Sequence, residues 1–157
     1  MRTYSIDTSA LLQAWRKNQP PDVFPGVWTL MQDLCERGLL RATEEVLHEL
    51  EKKDDEVCAW AKAQRGLFVS IDHRIQLEVS DILAAHKKLL DTRKNRSGAD
   101  PFVIALAKIE GSAVVTEERP TGSPDRPNIP DVCAQLKIRC INFIQLMREQ
   151  KWVFVAP

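Results

Sequence analysis

Asp100-Pro101-Phe102-Val103-Ile104-Ala105-Leu106-Ala107-Lys108-Ile109-Glu110-Gly111-Ser112-Ala113-Val114-Val115-Thr116 changes its hydrophobic period once, at a glycine. Asp100-Pro101 opens a helix, because proline fits the first helical turn. Phe102, Val103, Ala105, Leu106 and Ile109 continue it at helical spacing. Gly111 ends it, and Ala113-Val114-Val115-Thr116 then reads as a short buried strand. A helix that returns through a glycine into a strand is the second half of a βαβ unit.

The same alternation extends in both directions. Toward the N-terminus, Thr3 to Asp7 is a short strand, and Thr8 or Ser9 can cap a helix carrying Leu11, Leu12 and Trp15. Asn18 to Pro21 stops that helix. Pro25 opens a second helix that Gly38 closes, and Leu39 to Ala42 is a possible strand. Thr43 starts a third helix, and Asp54-Asp55 restart a fourth. Leu67 to Ile71 is extended, and a long helix is expected from Arg74 to Leu90. Past Thr116, residues 117 to 130 form a proline-bearing loop. Asp131 to Leu136 is a helix, Ile138 to Cys140 a strand, and Phe143 to Arg148 a last helix. Strands alternating with helices predict a single three-layer α/β/α domain with a mainly parallel sheet. In that architecture ligands bind beyond the carboxyl ends of the strands.

Composition narrows the function. The 157 residues suit one domain. Lys and Arg number 22 and Asp and Glu number 22, so nucleic acid can be bound only through a local basic patch, not through bulk charge. No apolar run reaches the ~18 residues of a membrane span, and Met1 to Asp7 lacks the apolar segment of a secretory signal. Cys35, Cys58, Cys133 and Cys140 form no C-x-x-C pair and are expected as reduced thiols of a cytoplasmic protein. Neither G-x-x-x-x-G-K-[ST] nor G-x-G-x-x-G occurs, which disfavours those modes of nucleotide binding.

Acids stand at the strand ends. Asp7 closes the first strand, and Glu117 and Glu118 follow the strand ending at Thr116. Glu49 rides the third helix, and Asp100 opens the apolar one. Each has a structural alternative: Asp7 and Asp100 as helix caps, Glu49 as the i,i+4 partner of Lys53, Glu117 and Glu118 as solvated loop charges. Brought together, carboxylates repel and call for a cation, and hard oxygen donors favour Mg²⁺ or Mn²⁺. Such a site suits phosphodiester hydrolysis.

The ordered set Ile6-Asp7-Thr8-Ser9-Ala10-Leu11, Glu45-Val46-Leu47-His48-Glu49-Leu50, Ala99-Asp100-Pro101-Phe102-Val103-Ile104-Ala105-Leu106-Ala107 and Val114-Val115-Thr116-Glu117-Glu118 resembles a PIN-domain ribonuclease. Ala14-Trp15-Arg16, Pro20 to Pro25 and Ile129 to Cys133 resemble a prokaryotic PIN-like subfamily of unknown function, similar to the VapC-like toxins. The resemblance implies a PIN-like fold with Asp7, Glu49, Asp100 and Glu118 as catalytic, metal-holding acids. Glu118 stands where the family usually has Asp, and Glu117 competes for that position. Asp131 is a further metal candidate, with a helix-capping alternative. Thr8 and Thr116 match hydroxyls that orient a carboxylate or a water.

The reaction so implied is Mg²⁺- or Mn²⁺-assisted hydrolysis of single-stranded RNA, leaving a 5′-phosphate and a 3′-hydroxyl. His48 points away from Glu49 by the helical rotation and is not assigned a role. Arg93, Lys94 and Arg96, with Lys87 and Lys88 leading in, form the patch that would meet phosphates; Arg16 and Lys17 form a weaker one. The tryptophans are expected in the core or at an interface. The resemblance further implies a toxin blocked by a cognate antitoxin, and a homodimer. A catalytically inactive PIN-fold scaffold and another Mg²⁺-dependent phosphoryl-transfer domain are the alternatives.

Overall fold

The computed structural model describes residues 1–90 and 98–157. Five strands form one sheet in the order β3-β2-β1-β4-β5, with every neighbouring pair parallel. They are β1 (Tyr4–Ile6), β2 (Leu40–Thr43), β3 (Phe68–Val69), β4 (Ala113–Val115) and β5 (Cys140–Ile141). β1 is central: Tyr4 lies opposite Leu40 and Ala113, and Ser5 opposite Arg41 and Val114.

The helices are α1 (Thr8–Gln13), α2 (Pro25–Glu36), α3 (Glu44–Lys53), α4 (Asp55–Lys62), α5 (His73–Ala85), α6 (Asp100–Glu110), α7 (Ile129–Leu136) and α8 (Phe143–Glu149). Two neighbouring residues of β1 locate the layers. Ser5 Oγ donates to the Val103 carbonyl of α6 at 2.8 Å. Tyr4 Oη, on the opposite face, donates to Glu149 Oε1 of α8 at 3.0 Å. Successive strand side chains point to opposite faces, so α6 and α8 cover opposite sides of the sheet. α5 and α7 pack with α6, whereas Trp28 of α2 meets Phe143 of α8. The domain is therefore three-layer α/β/α. α6 is buried from Val103 through Ala107, which is why its sequence is apolar almost all round. No helix among the described residues is long and apolar enough to cross a membrane.

Several expected boundaries move. β1 stops at Ile6, and Asp7 rather than Thr8 or Ser9 occupies the N-cap of α1. The last strand is Cys140–Ile141, later than Ile138 to Cys140. The long helix expected to Leu90 ends at Ala85. His86 leaves helical geometry, and a tighter 3₁₀ turn over Lys87–Leu90 carries Leu89 into the core. No glycine or proline marks that break. After α1 the chain widens into a π-helical turn, Ala14–Asn18, with the Gln19 N–H bonded to the Ala14 carbonyl at 2.8 Å. Trp15 on that turn stands edge-on to Trp28 at 4.7 Å, and Trp28 to Trp60 at 4.9 Å. These tryptophans are packing residues, as expected. Arg16 is spent on Asp54 at 2.8 Å and on the Lys53 carbonyl, so it fastens the turn to the α3–α4 junction instead of forming a free basic patch.

Candidate active site at the carboxyl ends of the strands

Asp7 continues β1 by one backbone bond, its N–H donating to the Val115 carbonyl at 2.8 Å. Its side chain turns inward and is only 2% exposed. Oδ1 accepts the Thr8 N–H at 2.8 Å. Oδ2 accepts two hydroxyls, Ser9 Oγ at 2.7 Å and Thr116 Oγ1 at 2.8 Å. Asp7 makes no ion pair among the described residues. Burial holds its carboxyl above the usual carboxylate range, against the opposing pull of the Ser9, Thr116 and Thr8 hydrogen bonds.

The two hydroxyls also tie the neighbouring loop. Ser9 Oγ accepts the Glu117 N–H and Thr116 Oγ1 the Glu118 N–H, each at 3.1 Å. On the other side, Thr8 Oγ1 donates to Glu49 Oε1 at 3.0 Å. Glu49 Oε2 stands 3.7 Å from Lys53, so the i,i+4 pair and the link to Thr8 coexist on one carboxylate. The side chain of Glu49 is 12% exposed. Asp7, Thr8, Glu49 and Thr116 are thus joined by direct bonds across three elements that are distant in sequence.

Asp100 is the first residue of α6 and is 5% exposed. Ala99, not Asp100, takes the N-cap position. Asp100 is thus a buried carboxyl in the first turn of the helix that packs on β1.

Three other candidates have their oxygens engaged by backbone. Glu118 Oε1 accepts the Ile129 N–H at the start of α7, and Glu117 Oε1 accepts the Phe143 N–H at the start of α8, both at 3.0 Å. Asp131 accepts N–H groups of Thr121, Gly122 and Asn128, and closes a capping box with Asn128. It serves the helix start as the capping alternative anticipated, from the third helical position. His48 is exposed and faces Glu45 at 3.6 Å. Arg93, Lys94 and Arg96 lie outside the described residues.

No three His, Cys, Asp or Glu side chains form a ready-made metal cluster among the described residues. Carboxylate oxygens are hard donors, and Asp7 and Glu49, bridged by Thr8, are the pair that could share one cation. Two neighbours escaped the sequence reading. Ser9, a cap candidate by sequence, locks Asp7 to the loop after β4, and the hydroxyl two residues past a strand-end acid is the signal for it. Cys140 lies within the electrostatic reach of both Asp7 and Glu118.

A parallel α/β domain with a buried acid ending its central strand, tied through hydroxyls to a helix glutamate, is the class these features define. Residues 4–154 match the family described as Domain of unknown function (DUF4411), and the chain belongs to that family. No curated protein matches the chain.

Proposed function

We propose that the chain is a metal-dependent endoribonuclease of the PIN type, hydrolysing single-stranded RNA in the cytoplasm as the toxin of a VapC-like toxin–antitoxin pair. The observation that carries this reading is the state of Asp7: buried, without an ion pair among the described residues, and fixed by hydroxyls at the strand end where this architecture binds ligands. A carboxylate kept there at a desolvation cost suits a cation partner.

The donor set fits Mg²⁺ or Mn²⁺. Mg²⁺ commonly takes one or two carboxylates and fills its remaining positions with water and substrate phosphate, so a closed protein cage is not required. Asp7 and Glu49 would hold the ion, with Asp100 and Glu118 completing the acidic wall. When bound, it would activate water and offset charge on the phosphate. Thr8 fixes one oxygen of Glu49, and Ser9 and Thr116 fix one oxygen of Asp7, which leaves each acid a defined direction for its other lone pairs.

An RNase assay with Mn²⁺ tests the reading on wild type beside Asp7→Asn and Asp100→Asn. Both variants should lose cleavage while keeping the wild-type circular dichroism spectrum. In cells, the wild-type chain expressed alone should arrest growth and Asp7→Asn should not. If wild type binds Mn²⁺ at these acids yet leaves every RNA intact, the inactive scaffold replaces the nuclease.

A further inference from the structure

A groove of about 700 Å³ lies between the end of α5 and the proline-bearing loop. One wall is Ala84, Ala85 and the Lys87–Lys88 pair, and the other is Pro120, Gly122 and Pro124, with Ala134 of α7 on the floor. The volume is in the range of small-ligand pockets. Its surface is apolar with a cationic lip: Ala84, Ala85, Ala134, Pro120 and Pro124 are exposed, and so are both lysines. Neither lysine makes an ion pair among the described residues. The acidic residue lining the groove, Asp131, has both oxygens occupied by backbone N–H groups and the Thr121 hydroxyl. Asp131 stays ionised, but the two lysines outnumber it and the net charge of the lining is positive.

The loop wall is built, not slack. Asn128 Nδ2 donates to the Arg119 carbonyl at 2.7 Å, and Thr121 Oγ1 donates to the Arg126 carbonyl at 2.8 Å. Gly122, at φ 72°, turns left-handed so that its N–H reaches Asp131 at 3.0 Å. The groove also begins where the acidic site ends. Pro120 stands two residues past Glu118, and Glu118 itself holds the Ile129 N–H from which α7 starts.

We propose that this groove seats a single-stranded nucleic acid, its phosphates on Lys87 and Lys88 and its base faces on the alanine and proline surface, beside the acidic strand ends. The inference rests on the nuclease reading for which strand is seated, but not for the chemistry of seating. Unstructured strands are held without sequence readout by a positively charged groove that tracks the phosphates beside platforms that take the base faces; here alanine and proline surface stands where such platforms are usually aromatic. A duplex hides its base faces and is excluded.

The test is fluorescence anisotropy of a labelled single-stranded RNA of about 12 nucleotides with the full chain in EDTA, where cleavage is off. Lys87→Gln/Lys88→Gln should weaken binding about tenfold and flatten the salt dependence by about 1.4 log units per log unit of salt. Lys87→Arg/Lys88→Arg should restore both, and Ala134→Glu on the groove floor should weaken binding without touching either lysine. Single-stranded DNA of the same sequence should bind comparably, since neither phosphate nor base face distinguishes the two. Binding within twofold of wild type in the Gln pair, with the same salt slope, overturns the groove. So does preference for duplex. The two readings separate cleanly: groove-dependent binding without cleavage in Mn²⁺ removes the nuclease and keeps the groove, and cleavage with KM unaltered in the Gln pair does the reverse.

Discussion

The two ends of the central strand solve the same problem in opposite ways. At the amino end, Tyr4 Oη donates to Glu149, and that carboxylate is closed by Arg2 at 3.1 Å and by Arg139. Despite the cost of burial, the Tyr4 hydrogen bond and the two guanidinium groups hold Glu149 below the usual carboxylate range. At the carboxyl end, Asp7 is buried more deeply and receives only hydroxyls and N–H groups, and burial holds it above that range. A carboxylate that only stabilises a fold is neutralised by its neighbours. One left charge-open costs stability, and that contrast supports the proposed site at the carboxyl end.

The largest effect that could break this contrast is on activity. Asp7→Asn keeps the shape and one accepting oxygen but removes the charge. Mn²⁺-dependent RNA cleavage should fall by more than about a hundredfold. Retention of full cleavage would reduce Asp7 to a helix cap. Thr8→Val comes next: it releases Glu49 while preserving volume, and should cost about tenfold in cleavage with little change in melting temperature.

Stability should answer with opposite signs at the two ends. Asp7 has a raised folded value, so its favourable contribution is present at low pH and is lost as pH rises through that raised value. Asp7→Asn should therefore melt at or above wild type at pH 7, and this advantage should shrink on acidification. Glu149 has a lowered folded value, so its contribution is present above the ordinary glutamate range and is lost as pH falls through the lowered value. Glu149→Gln should cost about 1 kcal/mol at pH 7 and approach wild type in acid. Thermal melts of both variants from pH 3 to 8 check the pair; curves with the same slope would mean that the ends are not electrostatically distinct.

The sequence was most informative where a single residue constrains the backbone. Pro25, Gly38, Pro101 and Gly111 each sit at the helix end they were expected to mark, because fixed φ or a left-handed residue leaves little choice. His86 carries no such mark, so the end of α5 is set by tertiary packing of Leu89. In the candidate site, the strand-end position of Asp7 followed from the alternation of elements, and the bonds of Thr8 and Thr116 fit the carboxylate-orienting part that the resemblance gave them. The use of Glu117 and Glu118 was not legible: a three-carbon side chain in a loop can fold back to whichever helix start lies near, and only the packed chain places Ile129 and Phe143 there. Asp before Pro reads as an N-cap, whereas Ala99 holds that position and Asp100 is the first residue of the helix.

The smallest effect is also the most direct probe of the charge on Asp7. Alkylation follows the thiolate fraction. Burial, helped by Glu36, pushes the Cys35 thiol up to about 12, and the adjoining Cys140 thiol together with burial pushes Cys133 up further. Cys140 is lowered, chiefly by the Cys133 thiol, although burial and the carboxylates of Asp7 and Glu118 oppose this. Iodoacetamide should therefore label Cys140 before Cys35 or Cys133 in the native protein. Because the Asp7 charge opposes the Cys140 thiolate, Asp7→Asn should speed that labelling about twofold, and only at pH values where wild-type Asp7 is ionised. Mass spectrometry of the alkylated peptide across pH then reads where Asp7 gains its charge. An identical rate in both proteins at every pH would mean that the carboxyl end carries no net charge toward β5, and the contrast between the two ends of the strand would be lost.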